Sequence, residues 1–180
     1  MVNSWLSRLF ASRERPVRRR PVLLEALENR TTPATFTVSN PLDSGLGSLR
    51  QAIADAAASA GPDTINFDPS LTGNTITLAS NDTNGSFGPT GLVIANDSIT
   101  IDGSAAPGLI LSGNGQRRLF AVASTGALTL ENITLTAGLA QGENGQDGTV
   151  AGGGGAAGLG GAVYNQGTLT VLDSTLARNA

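Results

Sequence analysis

One strand pattern occurs twice in the chain, as Gly126-Ala-Leu-Thr-Leu-Glu-Asn-Ile-Thr-Leu135 and again as Gly167-Thr-Leu-Thr-Val-Leu-Asp-Ser-Thr-Leu176. A glycine-rich tract separates the copies, and 12 of the 24 glycines lie between Gly138 and Gly167. Short strands that recur with variable insertions are typical of a solenoid, in which each repeat buries its apolar face against its neighbours. The two copies therefore predict an all-β solenoid.

The spacing of apolar residues within a copy predicts a sharp bend in the backbone. Leu128 and Leu130 alternate with period two, but Ile133 follows Leu130 after three residues. A straight strand would turn one of the two apolar pairs to the outer face. A bend at Glu131-Asn132 keeps every apolar side chain inside, because Asn tolerates the left-handed backbone conformation that such a bend needs.

The same bend is predicted at Leu172-Asp173 in the second copy and at Asn96-Asp97 in a looser third copy, residues 92–102. Strand, bend, strand and variable loop make one turn of a parallel β-helix. The strand candidates are short and bounded by Gly, Asn, Asp or Pro. They are residues 34–39, 64–67, 75–78, 92–94, 99–101, 109–111, 119–122, 128–130, 133–135, 162–164, 169–171 and 175–176.

One helix is predicted in this part of the chain, over residues 48–60. Ser48 and Gln51 have the spacing of a capping box, and Gly61-Pro62 ends the helix. Its apolar face is predicted to consist of Leu49, Ile53, Ala56 and Ala60. We expect the helix to cover the N-terminal end of the β-helix as a cap. Packing beside a sheet is the alternative.

Charge divides the chain into a basic leader, residues 1–33, and an acidic body, residues 34–180. Residues 1–30 carry seven arginines against three acids, whereas the remainder carries four arginines against eleven acids. We expect the leader to be disordered or export-related. It does not fit a Sec signal, since only Pro21-Val-Leu-Leu24 is available as an apolar stretch before Glu25. An acidic body also argues against nucleic acid as a partner.

The absent residue types exclude several chemistries. The 180 residues contain no Lys, His or Cys. Disulfides, thiolate nucleophiles, Ser-His-Asp relays, Walker A lysines and soft-metal sites therefore have no residues to form them. No apolar run is long enough to span a membrane. The sequence predicts no catalytic, cofactor-binding or metal-binding residues and no cofactor.

Four motifs in the chain resemble signatures of known protein families. Asp43-Ser-Gly-Leu-Gly-Ser-Leu-Arg-Gln-Ala-Ile53 resembles the N-terminal SLR-type signature of bacterial right-handed parallel β-helix proteins, which belong to the pectin-lyase-like superfamily. Gly160-Gly-Ala-Val163, followed by Asn165, resembles the GGAI repeat of polymorphic outer-membrane proteins and related adhesins. Leu176-Ala-Arg-Asn179 is similar to the partner FxxN motif with Leu in place of Phe. Leu24-Glu-Ala-Leu-Glu-Asn-Arg30 resembles an N-terminal motif of large exported bacterial proteins.

The resemblance implies an extracellular, cell-surface or outer-membrane-associated location, and it does not imply an enzyme. Relatives of this kind usually continue for many more coils, so we expect residues 34–180 to be the N-terminal part of a β-helix that is truncated at its C-terminus. The glycine-rich tract, residues 138–160, is predicted to be a flexible loop that leaves the solenoid.

Two motifs in the glycine-rich tract are formal matches only. Gly153-Gly-Gly-Gly-Ala-Ala-Gly158 satisfies GxGxxG, but a dinucleotide site needs a strand before it and a helix after it. Residues 142–150 partly match a calcium-binding nonapeptide, which works in stacked arrays, and here there is one copy. Neither motif predicts a site.

A polysaccharide-cleaving enzyme is the main rival function, because the superfamily contains pectate lyases and polygalacturonases. The acids within the repeats are Asp97, Asp102, Glu131 and Asp173, and we expect Asp97, Glu131 and Asp173 to align at the bends as turn formers. Arg117-Arg118 could bind anionic sugars, although an exposed loop pair is the expectation.

The resulting prediction is a non-catalytic exported β-helix module with a scaffold or adhesion role. Its partner would be a polysaccharide or another surface protein, bound by the flank of stacked strands and the loop at 138–160. The alternatives are a polysaccharide lyase or hydrolase and a non-functional fragment of a larger surface protein. Three or more carboxylates that converge in a groove would favour the enzyme, whereas a Thr/Asn-lined flank would favour the scaffold.

Overall fold

The computed structural model describes residues 32–83, 87–142 and 158–180. Its strands and helix agree with the predicted segments to within about two residues at each end. In chain order they are β1 (Thr35–Val38), α1 (Leu49–Ala58), β2 (Asp63–Phe67), β3 (Thr75–Thr77), β4 (Thr90–Ile94), β5 (Ser98–Asp102), β6 (Ile110–Ser112), β7 (Arg118–Val122), β8 (Ala127–Glu131), β9 (Thr134–Thr136), β10 (Val163–Asn165), β11 (Thr168–Leu172) and β12 (Thr175–Ala177). A 3₁₀ helix, Pro69–Leu71, follows β2.

The strands form three sheets in which every pairing is parallel. The five-stranded sheet has the order β1-β2-β5-β8-β11, the four-stranded sheet β12-β9-β6-β3 and the three-stranded sheet β10-β7-β4. From β2 onward, successive strands join the five-, four- and three-stranded sheets in a fixed rotation. The described residues are therefore mostly parallel β-sheet with one α-helix.

Alternation of side chains along each strand builds the core. In the five-stranded sheet, apolar positions stack in register, and one such column is Phe36, Ile65, Ile101, Leu130 and Val171. The three central members of that column are fully buried. Each buried Leu or Ile contributes about 1.5–3 kcal/mol relative to an exposed one, so the inward columns supply the main stabilising free energy.

The predicted bends between strands are present where a three-residue step interrupts the two-residue alternation of apolar positions. Asn132 and Asp173 have φ angles of 55° and 46°, which places both in the left-handed region. Residues 126–135 and 167–176 pair strand for strand, so their assignment as two copies of one unit is confirmed. The bend keeps Leu128, Leu130, Ile133 and Leu135 inside, all at most 2% exposed.

The alignment of residues 92–102 as a third copy is wrong. Its two strands are β4 and β5, which belong to the three-stranded and five-stranded sheets, whereas β8 and β9 belong to the five- and four-stranded sheets. Asn96 does have a positive φ of 59°, so a bend is present, but it lies at a different corner. The true counterpart of β8-β9 is β5-β6, in which an insertion between the strands hides the repeat.

The helix α1 is shorter than predicted and buries a slightly different face. Ser48 is the N-cap and accepts a hydrogen bond from the backbone of Gln51, but the Gln51 side chain donates to Asp55, so only half of the capping box forms. The helix ends before Ser59, which is extended, and Ala60 is exposed. The buried residues are Leu49, Ala52, Ile53 and Ala56, and the helix packs against β1 and β2.

Candidate functional site

A straight row of threonines crosses the outer face of the five-stranded sheet. Its members occupy the same register position on all five strands, and we refer to them as the threonine column: Thr35, Thr64, Thr100, Thr129 and Thr170. Parallel strands lie about 4.8 Å apart, so the column extends over about 19 Å. These side chains form no hydrogen bond with another residue in the part of the chain that the structure describes. Each hydroxyl is therefore available as both donor and acceptor for a ligand.

A second row on the same face lies two residues further along each strand. This mixed column consists of Thr37, Asn66, Asp102, Glu131 and Leu172. The Thr37 hydroxyl donates to Asn66 Oδ1 at 2.7 Å, and Asn132 Nδ2 donates to Asp102 Oδ1 at 3.1 Å. Together the two columns give a polar, hydroxyl-rich face that carries two carboxylates.

The hydrogen bonds of Asp102 determine which proton chemistry it can perform. Burial acts to raise the pKa of Asp102, but hydrogen bonds from Ser104 and Asn132 outweigh it, and the pKa lies below its ordinary value. An acid of this kind is ionised at neutral pH and is a poor proton donor. The arrangement suits a turn-stabilising carboxylate better than a general acid.

The four repeat acids are not collected into one cluster. Asp102 and Glu131 are register partners, whereas Asp173 lies one position further along, opposite Asn132. Asp97 precedes β5, so the prediction that Asp97 aligns with Glu131 and Asp173 is wrong. The physical reason is that β5 pairs through Ser98 with Ala127, which puts Asp97 and Glu131 at opposite ends of neighbouring strands.

A shallow groove runs along the bend that follows β5, β8 and β11. It has a volume of about 370 Å³ and is lined by residues such as Ser104, Asn132, Thr134 and Asp173. Asp173 is its only lining carboxylate in the described residues. Across the described ranges there is also no group of three or more Asp, Glu, His or Cys side chains that could hold a metal ion.

The expectation of an exposed loop pair at Arg117-Arg118 is wrong. Both side chains are buried, with 8% and 6% of their surface exposed. Arg117 donates to the carbonyl oxygen of Leu78, and Arg118 donates to those of Phe87, Leu159 and Gly160. Burial lowers the pKa of Arg118, and the interaction with Tyr164 opposes this effect. The centre of the Tyr164 ring lies 5.1 Å from the guanidinium carbon of Arg118. The two buried guanidinium groups therefore bind main-chain carbonyl oxygens of other segments. They do not form an exposed surface for anionic sugars.

Other predicted features fall wholly or partly outside the described residues. The leader is described only from residue 32, and residues 143–157 contain most of the calcium-type nonapeptide and of the GxGxxG match. The first residues of the predicted loop at 138–160 are hydrogen-bonded to other segments: Leu139 N donates to Arg117 O at 2.9 Å, and Ala140 N donates to Ala180 O at 2.8 Å.

Comparison with protein-family models, with curated proteins and with solved structures found no match to this chain. Within the described ranges, no helix has both the length and the apolar character that a membrane crossing requires. The site must therefore be judged from its own geometry.

The sequence suggested a Thr/Asn-lined flank but did not identify the threonine column. Its signal was present as Thr at alternate outward positions of five strands, in TFTV, DTINF, SITID, ALTLE and TLTVL. Thr is a common strand residue, so the pattern has no special meaning until the register places the five side chains in one row.

Proposed function

We propose that this chain is a non-catalytic, exported right-handed parallel β-helix module whose five-stranded flank binds an extended polysaccharide. The observation that carries the proposal is the unbroken threonine column. A polymer laid across the strands would meet a hydroxyl every 4.8 Å or so, and the mixed column beside it adds amide and carboxylate oxygens.

The coil geometry is supported by the strand rotation and by the register. Successive members of the threonine column are 29, 36, 29 and 41 residues apart, as expected for one coil per step with insertions at the loops. Parallel strands that are joined by a crossover are right-handed in nearly all proteins. In this architecture α1, which packs on β1 and β2, would cap the apolar end of the first coil.

A scaffold or adhesion role is favoured over a polysaccharide lyase or hydrolase by the arrangement of the carboxylates. Hydrolysis by two acids requires one of them to be protonated when it meets the substrate. Asp102 and Glu131 are neighbours on the flank. The lowered pKa of Asp102 and its hydrogen bonds from Ser104 and Asn132 oppose a role as the protonated acid.

Binding to immobilised polysaccharides tests the role of the flank. The full chain would be assayed against neutral and acidic polysaccharides, with a triple variant Thr64→Val, Thr100→Val, Thr129→Val. Valine preserves the shape and the strand preference while it removes the hydroxyls. We expect at least a tenfold loss of affinity. The matched control Thr134→Val, Thr136→Val alters the outer face of the four-stranded sheet and should leave the affinity unchanged.

Two results would contradict the proposal. Binding that survives in the triple variant would remove the threonine column from the site, and capture of a surface protein without any polysaccharide would assign the flank to a protein partner. Release of soluble sugar from a bound polymer would instead establish the enzymatic alternative. Location is tested separately, by protease treatment of intact cells that express an epitope-tagged full chain, where loss of the tag is expected.

A further inference from the structure

Asp63 is a buried carboxylate with one oxygen unpaired. It begins β2 and points to the same side as the core residues Ile65 and Phe67, with 1% of its surface exposed. Its Oδ1 accepts hydrogen bonds from Ala34 N at 2.7 Å and from Ser59 Oγ at 3.5 Å. Its Oδ2 is buried and has no hydrogen-bond partner among the described residues. A buried carboxylate oxygen without a partner costs folding free energy, so we expect a ligand at this atom.

Asp97 presents the same feature on the neighbouring coil. Its Oδ1 accepts from Ser98 N at 2.7 Å, while its Oδ2 is also buried and unpartnered in the described part of the chain. The β2–β5 register sets Asp63 opposite Ile99, and Asp97 lies two residues before Ile99 on the inward-facing set of positions. The two carboxylates thus belong to the same corner of adjacent coils.

Asp63 lies close enough to Asp97 for its negative charge to act on the Asp97 carboxylate. No cationic side chain forms an ion pair with either group in the ranges that the structure describes. Two like charges with unpaired oxygens are unfavourable unless a positive species lies between them.

An opening to solvent adjoins this corner. A cavity of about 390 Å³ is lined by Asp97 together with the turn residues Asn96 and Ser98 and the residues Ser124, Thr125 and Thr168. Its lining is rich in hydroxyl, amide and carbonyl oxygens, which are the ligands that hard cations prefer. The cavity supplies an entry path and room for water molecules to complete a coordination shell.

We propose that Asp63 and Asp97 form a Ca²⁺ site in which the unpartnered Oδ2 atom of each carboxylate is a ligand. Two carboxylates give at most four oxygens, and Ca²⁺ accepts an irregular shell of six to eight, so water and the oxygens of the adjoining turn complete it. Mg²⁺ demands near-octahedral geometry and gives up its water reluctantly, so the site should prefer Ca²⁺. By joining β2 to the turn before β5, the ion would tie the first coil to the second.

Thermal unfolding of the full chain, followed by circular dichroism near neutral pH, tests this site. After treatment with EDTA, added CaCl₂ should raise the Tm in a saturable manner, because a ligand that binds only the folded state stabilises it. MgCl₂ at equal concentration should raise the Tm by less. Isothermal titration of CaCl₂ into the apo protein should give one site per chain.

The variants separate this site from general charge effects. Asp97→Asn should abolish the Ca²⁺-dependent rise, whereas the control Asp173→Asn, which alters a carboxylate at another bend, should keep it. If Asp63→Asn does not fold, the titration of the unaltered chain and of Asp97→Asn decides the matter alone. A Tm that ignores CaCl₂ but rises as the pH is lowered would mean that the two carboxylates share a proton, and it would overturn the proposal. A Ca²⁺ effect that persists in Asp97→Asn would overturn it as well.

Discussion

Truncation of two register-equivalent leucines measures how much the stacking of strands in register contributes to stability. Leu135 in β9 pairs with Leu176 in β12, and both point to the same side of the four-stranded sheet. Leu135 is completely buried, whereas 45% of Leu176 is exposed. Removal of a buried leucine side chain to alanine costs about 2–5 kcal/mol, through lost transfer free energy and the cavity left behind.

The burial difference sets the expected magnitudes. Leu135→Ala removes a side chain that is completely buried, so we expect a loss of about 3–4 kcal/mol in the free energy of unfolding. Leu176→Ala removes a side chain that is roughly half covered and can leave no closed cavity, so the expected loss is about 1–1.5 kcal/mol. Urea unfolding of the full chain, followed by circular dichroism, gives both values from the midpoint at constant m.

The outward-facing Thr136→Ala serves as the control and should change the free energy of unfolding by no more than about 0.5 kcal/mol. An equal cost for Leu176→Ala and Leu135→Ala would contradict these values, because another layer of protein must then cover β12 in solution. A cost below about 1 kcal/mol for both leucine variants would contradict them as well, because stacked apolar positions would then not be the main source of stability.

Four further variants, at three positions, probe the bends and the turn before α1. Asn132→Val should destabilise the fold by about 2 kcal/mol because a β-branched residue is strained at φ 55°, whereas Asn132→Gly should cost less, as urea midpoints will show. Ala137→Gly should stabilise it by about 0.5–1 kcal/mol in the same assay, because Ala137 has a φ of 51° that glycine adopts without strain. Burial acts to raise the pKa of Asp43, but hydrogen bonds from Ser80 and Arg50 and the charge of Arg50 hold it below its ordinary value. Asp43 therefore stabilises the fold above the unfolded-state pKa of about 3.9, and that stabilisation is lost as the pH falls through the lower folded-state pKa. Asp43→Asn should cost about 1 kcal/mol at neutral pH and nothing at the acid end, and a cost that stays constant with pH would contradict this.

The strands and their bends were predictable because local chemistry determines them. A three-residue step between apolar pairs can be accommodated only by a bend, and Asn132 and Asp173 are residue types that tolerate the left-handed conformation found there. The helix was predictable for a similar reason, since Ser48 is a strong N-cap. Its last turn was not, because Ala60 has a high helix propensity and only the extended backbone at Ser59 ends the helix earlier.

Alignment of the strands was not fully predictable because different bends use the same residue types. Asn96 and Asn132 both have positive φ angles and both precede a strand within two residues, yet they follow strands of different sheets. The insertion at Ser104–Gly108 lengthens the passage from β5 to β6, whereas β9 follows β8 after two residues. The bends at Asn96 and Asn132 are distinguished only by the pairing of strands that are distant in sequence. The periodicity of apolar residues does not predict that pairing.

The buried arginines show a second limit of the sequence. A pair of adjacent arginines is usually solvated, because burial of a guanidinium requires acceptors for its hydrogen bonds. Here the acceptors are main-chain carbonyl oxygens, at Leu78 for Arg117 and at Phe87 and Leu159 for Arg118. Every residue possesses a carbonyl, so no pattern of side chains could reveal which ones turn inward at this corner.

The threonine column can be separated from mere strand preference by comparing two faces of the same molecule. The four-stranded sheet is equally rich in strand-forming residues, yet its outer rows are interrupted by Ile110 and Ala177. Strand propensity favours threonine anywhere on an outer face and does not require the same residue at the same register position on every strand. A ligand that extends across the strands imposes that requirement. For this reason the uninterrupted row from Thr35 to Thr170 favours binding on the five-stranded face, and the paired valine variants on the two sheets distinguish a binding surface from a row that only favours strand formation.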